Sequence, residues 1–213
     1  MKLPKSILIK DTVTLFLTKY KYKIVIVSPL ASFFRKKDLE SVAITLNLST
    51  IKDLNKSFLR VKSDDDIKYA AKICNILRKS EDFSCRVESP FLNVYTNDTS
   101  LIEELSNVDS TKIKFIHLPN KNNPELFQGS IIVKKIDFGY KVSMGTCKKN
   151  YSNFIAWSQQ SNKIKLTKRC IRDLSKDRSW GGSYFYVKDD KTLTMVKVFL
   201  GSDISKIDNV IKA

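Results

Sequence analysis

Residues 184–200, YFYVKDDKTLTMVKVFL, admit two folds, and the choice between them decides the second half of the chain. In one reading, residues 184–187 form an aromatic, β-branched strand. Asp189 and Asp190 then cap a helix, and Gly201 stands where a C′ glycine ends one. In the other reading, Thr192, Thr194, Val196 and Val198 alternate as a strand does, and the segment is a hairpin turning at Asp189-Asp190.

The first reading has an echo upstream. Residues 91–96 read as a strand, Asn97-Asp98 as a cap, and residues 99–108 as a helix, with Ser100 and Glu103 at capping-box spacing. Each copy is followed by an isoleucine-bearing stretch, 113–116 and 204–211. This pattern predicts an α+β fold of mixed sheets with packed helices, built as two similar β-α-β-containing halves. Residues 1–120 form an α+β N-terminal half and residues 121–213 a basic C-terminal half, with the boundary in the loop PNKNNP at 119–124. The second reading predicts an α+β N-terminal domain followed by a winged helix-turn-helix, with helices at 152–159 and 167–176 ahead of the hairpin.

Elsewhere the signals are local. YKIVIVS at 22–28 reads as a buried strand, and a helix follows from Asp38 with Leu39, Val42, Ala43 and Leu46 at helical spacing. Ser63 and Asp64-Asp65-Asp66 start an amphipathic helix that ends on Arg78-Lys79, charges that suit its dipole at both ends. Residues 83–87 and 91–96 read as strands bent at Ser89-Pro90, and KIKFIHL at 112–118 as a half-buried strand. Residues 131–136 and 140–144 read as a hairpin turning at Asp137-Phe138-Gly139.

Charge separates the functional classes. The 213 residues carry 38 basic and 22 acidic side chains, a net +16. The surplus divides into blocks: +9 over 1–62, −3 over 63–128, +9 over 129–178 and +1 over 179–213. A uniform lysine bias would spread it evenly. A folded surface this basic repels itself unless a polyanion neutralises it, and nucleic acid is the commonest such partner.

The richest segment is 163–188. Lys163, Lys165, Lys168, Arg169, Arg172, Lys176 and Arg178 precede Trp180-Gly181-Gly182, and Tyr184 and Tyr186 follow. On a helix starting at Thr167, Lys168, Arg172 and Lys176 recur every four residues, a row suited to a phosphate backbone. Trp180, Tyr184 and Tyr186 supply flat rings for unpaired bases, and the glycines would let backbone approach a phosphate. The second block comprises Lys19, Lys21 and Lys23 on one face of a strand, with Tyr20 and Tyr22 packed inward, and Arg35, Lys36 and Lys37 at a helix N-terminus, an anion site. Lys148 and Lys149, beside Tyr151, extend the pattern.

Other chemistries find little support. Cys74, Cys85, Cys147 and Cys170 are scattered, and with His117 as the one histidine they make no zinc spacing. The three aspartates are accounted for by a helix start. There is no phosphate-binding glycine loop, dinucleotide fingerprint or nucleophile elbow. No catalytic residue, metal or cofactor is assigned. No segment reaches the roughly 20 apolar residues of a membrane span, and no secretion signal is present, so an intracellular, cytoplasmic protein with buried thiols is expected. The lysine- and asparagine-rich vocabulary fits a viral or phage chain, acting in its host's cytoplasm. The expected function is non-enzymatic binding of nucleic acid, single-stranded DNA or RNA, as an accessory to genome replication, transcription or packaging. A metal-dependent nuclease and an assembly protein with a basic partner-binding face are the alternatives.

Overall fold

Strand β2, Tyr22–Val27, buries Ile24 and Ile26 on one face and turns Lys23 to the other, which sets the layering of everything that pairs with it. The computed structural model describes residues 1–35, 38–48, 63–120 and 125–213. These divide into two compact units, Met1–Lys121 and Asn122–Ala213. Each is an α+β unit built on a five-stranded mixed sheet.

In the first unit, β1 (Ile9–Asp11), β2, β3 (Phe83–Glu88), β4 (Phe91–Thr96) and β5 (Ile113–Leu118) stand in the order β1-β5-β2-β4-β3. Only β1 and β5 are parallel. Helices α1 (Leu39–Leu48), α2 (Asp64–Arg78) and α3 (Thr99–Val108) bury Val42, Ile73, Leu77, Leu101 and Leu105 against Ile24, Ile26, Leu92, Val94 and Ile116. Apolar spacing explains each helix, and so do the ends. Asp98 caps α3 by accepting from Ser100 N at 2.8 Å. Glu103 makes no capping box, because with Asp98 as the N-cap it lies two positions past N3; its carboxylate pairs with the Met1 amine at 3.2 Å. Asp66, in the first turn of α2, is buried and ion-paired with Lys112 at 3.0 Å, a structural role for that aspartate.

The second unit repeats the frame. Strands β6 (Ser130–Val133), β7 (Tyr140–Met144), β8 (Ile164–Leu166), β9 (Tyr184–Val187) and β10 (Ile204–Lys212) stand in the order β6-β10-β7-β9-β8, again with only the first and last strands parallel. Helices α4 (Ser152–Gln159), α5 (Lys168–Leu174) and α6 (Asp190–Leu200) bury Phe154, Cys170, Leu174, Leu193, Val196 and Leu200 against Val142, Phe185 and Val187.

Residues 190–200 are therefore helix, and the winged helix-turn-helix reading is overturned. Leu193, Val196 and Leu200 meet the core at helical spacing, and Asp189 accepts from Thr192 N at 2.9 Å. Together these outweigh the strand preference of the threonines and valines. The expected hairpin of residues 131–144 is also absent. β6 and β7 lie on opposite sides of β10, so apolar patterning identified the strands but not their partners. The expected helix at 167–176 is shorter, running Lys168–Leu174 under a Thr167 cap.

The two frames also correspond in register. Tyr22 pairs with Thr96 and Lys23 with Tyr95, as Tyr140 pairs with Val187 and Lys141 with Tyr186. Tyr95 precedes its helix cap Asp98 by the same interval as Tyr186 precedes Asp189. The units part between their third and fourth strands. In the first, Ser89-Pro90 makes a tight turn; in the second, residues 167–183 intervene and include α5.

Candidate nucleic-acid interface

That intervening segment holds most of the cations of the 163–188 block, Lys168, Arg169, Arg172, Lys176 and Arg178. Thr167 Oγ1 accepts from Cys170 N and starts α5, whose Cys170 and Leu174 anchor it in the core. The opposite side of the helix stays in water. Past Ser175 the chain returns through Arg178 and Trp180 to β9. Its return is fixed by a two-way backbone pairing of Ser179 with Cys147 at 3.0 and 3.1 Å. The Asn150 amide reaches the Ser175 carbonyl at 3.0 Å, and Tyr151 N reaches Leu174 O at 2.9 Å. Lys148 and Lys149, both exposed, are thereby held beside the same segment.

Arg169, Arg172, Asp173, Lys176, Arg178, Ser179, Trp180 and Gly181 line an open pocket of about 360 Å³. Trp180 is 85% exposed, and the Arg178 guanidinium lies over its ring at 5.3 Å from the centroid. The pocket's one carboxylate, Asp173, is occupied by Arg169 at 3.6 Å. Among the described residues, Arg172, Lys176 and Arg178 make no ion pair, so their charge faces solvent. Arg169, Arg172 and Lys176 share this pocket, whereas Lys168, exposed on α5, does not line it. The row expected from four-residue spacing is thus displaced by one position at its start.

The glycines serve the fold. Gly181 has φ +78°, and a Cβ there would lie 2.4 Å from the Gly145 carbonyl oxygen. Gly182 N donates to Met144 O at 3.0 Å, so its amide is engaged by the chain itself.

The tyrosines divide. Tyr184, at the start of β9, is 38% exposed, with Lys141 Nζ 4.5 Å from its ring centroid. Tyr186 is 9% exposed and packs on Phe138 and on the edge of Tyr184. Lys165 is exposed on β8 opposite Tyr186. Lys163 lies at the far end of β8, paired with Asp189 at 3.0 Å, and is not brought to the pocket.

The block at residues 19–37 is dispersed. β2 begins only at Tyr22, so Lys19, Lys21 and Lys23 do not share a strand face. Lys19 pairs with Asp82 at 2.6 Å, which raises its pKa, while Lys21 N donates to Asn97 Oδ1. Lys23 is half-buried among the rings of Phe16, Tyr95 and Phe115, and burial lowers its pKa. Tyr20 is buried, and Tyr22 packs partly on the core. Arg35 is exposed at the end of the 3₁₀ turn Ala31–Arg35 and borders a pocket with Tyr20, Phe34 and Phe83. Lys36 and Lys37 lie outside the described residues. The N-terminal amides of α1 are already served by Asp38, which accepts from Glu40 N and Ser41 N. Its hydrogen bonds with the Ser41 hydroxyl and these amides hold its pKa down, so no external anion is needed there.

Lys141 had no place in the sequence reading of the site. The signal was present, since Tyr140-Lys141 repeats Tyr22-Lys23, but it becomes legible only once strand register is known.

The four cysteines are free, and burial pushes the thiols of Cys85 and Cys170 up to about 12, far from thiolate at neutral pH. Among the described residues no group of three or more His, Cys, Asp or Glu is placed to hold a metal ion, and no helix is long and apolar enough to cross a membrane. Comparison with known proteins finds no matching family model, no matching curated protein and no matching solved structure.

Proposed function

We propose that the chain binds nucleic acid without chemically altering it, through the basic pocket of the second unit. The observation that carries this reading is where the charge sits. Two sheets of one topology differ at the connection between their third and fourth strands, where a tight turn suffices in the first unit. The second unit places Lys168, Arg169, Arg172, Lys176, Arg178 and Trp180 in that connection. Folding does not call for such a cluster, whose members repel one another. A phosphate backbone does, because each cation that meets a phosphate releases counterions. The exposed indole adds a surface on which a base can stack. In a cell the role is that of an accessory to replication, transcription or packaging of a genome, in the cytoplasm of a viral or phage host.

Binding of labelled single-stranded and duplex oligonucleotides across a salt series tests the reading. Affinity should fall linearly in log–log form with salt, and with three to four phosphates engaged the slope should be about −2 to −3 on a single strand. Affinity indifferent to salt would refute the proposal. Divalent-metal-dependent cleavage of the same strands would replace it with a nuclease.

A further inference from the structure

The duplicated frame separates what the fold requires from what the second unit adds. On the face of each sheet opposite the core, a lysine of the second strand pairs across from a tyrosine of the fourth: Lys23 with Tyr95, and Lys141 with Tyr186. In each, a phenylalanine from the connection between the first two strands packs on that tyrosine. Phe16 lies 5.6 Å from Tyr95, and Phe138 lies 6.3 Å from Tyr186. Both tyrosines are buried. This trio belongs to the architecture.

Tyr184 does not. Its counterpart two residues before Tyr95 is Asn93, which is 2% exposed and donates to the Arg86 carbonyl at 3.1 Å. Where the first unit closes its sheet face with a satisfied amide, the second presents an exposed ring. Cations surround it. Lys141 stands over the ring, Lys165 is exposed on β8, and Lys206 is exposed on β10 opposite Ser143, itself opposite Tyr184. Of the carboxylates on this face, Asp208 is buried and held by Lys206 at 2.7 Å. Tyr184 also follows directly on the basic connection that ends at Ser183.

We propose that Tyr184 is a stacking site for an unpaired nucleobase of the strand whose phosphates the basic connection holds, with Lys141 and Lys165 facing the adjoining phosphates and Lys206 engaged by Asp208. The inference rests on the proposed function and sharpens it, because the ligand is then a single strand. A paired base is already stacked on both sides within its duplex, whereas an unpaired one offers its face to a ring on an open sheet.

The test uses the full chain and three probes: an oligothymidine strand, a strand of equal length made entirely of abasic sites, and a duplex. The first two carry the same phosphates. The wild type should prefer the base-bearing strand by about tenfold or more. Tyr184→Asn, which installs the first unit's residue, should remove about fivefold or more of that preference while leaving affinity for the abasic strand unchanged. Tyr184→Phe should keep the preference. Should Tyr184→Asn lower the melting temperature, Tyr184→Leu, apolar but without a flat ring, takes its place with the same expectation. An unchanged preference in the ring-less variant overturns the stacking site, as does an equal loss on both strands. Failure of the wild type to bind any of the three probes at low salt overturns the proposed function itself; equally tight binding to the two single strands, or binding to the duplex alone, overturns only the base site.

Discussion

The guanidinium of Arg178 lies over the indole of Trp180, 5.3 Å from the ring centroid, on a residue that is 85% exposed. An indole so placed gains little from packing and makes no demand on the core. Its removal should therefore separate binding from stability. Trp180→Ala should leave the melting temperature within the range of ordinary surface changes, about 0.5 kcal/mol in stability. Affinity for a single strand should fall about fivefold or more, and affinity for duplex less. Fluorescence anisotropy with labelled oligonucleotides reads both. Equal losses on the two ligands would mean that the ring holds Arg178 in place rather than stacking on a base.

Charge reversal should map the pocket. Arg172→Glu and Lys176→Glu replace unpaired, pocket-lining cations, so each should weaken binding and reduce the salt slope by about 1. Lys163→Glu, at the opposite end of β8 and engaged with Asp189, should leave the slope unchanged. Lys168, exposed on α5 but outside the pocket lining, should give an intermediate loss. A uniform response from all four would indicate a general field effect with no localised site.

The contrast between Lys163 and Arg172 also marks what the residues disclosed before any fold was known. Composition along the chain located the basic segment, and the Asp189 cap with its trailing glycine was readable as a helix signal. Pairing was not readable. Periodicity reports which face of a strand is apolar, but not that β10 separates β6 from β7. The same gap concealed Lys141, which meets Tyr184 only through strand register, and it made Lys19, Lys21 and Lys23 look like one row. Tyr184 and Tyr186 have the same spacing and chemistry in the sequence. In the fold Tyr186 lies between two strands and packs on Phe138, which arrives from another connection, whereas Tyr184 stays exposed.

Gly181 should be intolerant of substitution for reasons of backbone. With φ +78° and the Gly145 carbonyl oxygen 2.4 Å from a built Cβ, Gly181→Ala combines an unfavourable conformation with a collision against main chain. A loss of about 1–3 kcal/mol is expected. Gly201 provides the control. Its φ is +51° with ψ −127°, but nothing lies within 4 Å of a Cβ, so Gly201→Ala should cost the conformational part alone and less than Gly181→Ala. Chemical denaturation of the two variants compares them directly. Because Gly181 adjoins Trp180, its variant should also weaken binding where the Gly201 variant does not.

Acid should loosen the cap of α6. Asp189 accepts from Thr192 N and pairs with Lys163, and these contacts, the amide foremost, hold its carboxyl down to about 2. A carboxyl whose folded-state pKa lies below its unfolded value contributes stability that is complete above the unfolded value. That contribution is lost as pH falls through the folded one. For Asp189 the window runs from about pH 4 to about pH 2. Thermal melts across that window should show the wild type losing stability progressively. Asp189→Asn keeps a capping oxygen but has no proton to gain, so its acid limb should be shallower. The slope should not vanish, because Asp38, Asp82, Asp98, Asp137 and Glu103 are also held low and titrate in the same direction. If the two acid limbs are parallel, the Asp189 carboxylate contributes no pH-dependent stability, and the cap works through the geometry that asparagine shares.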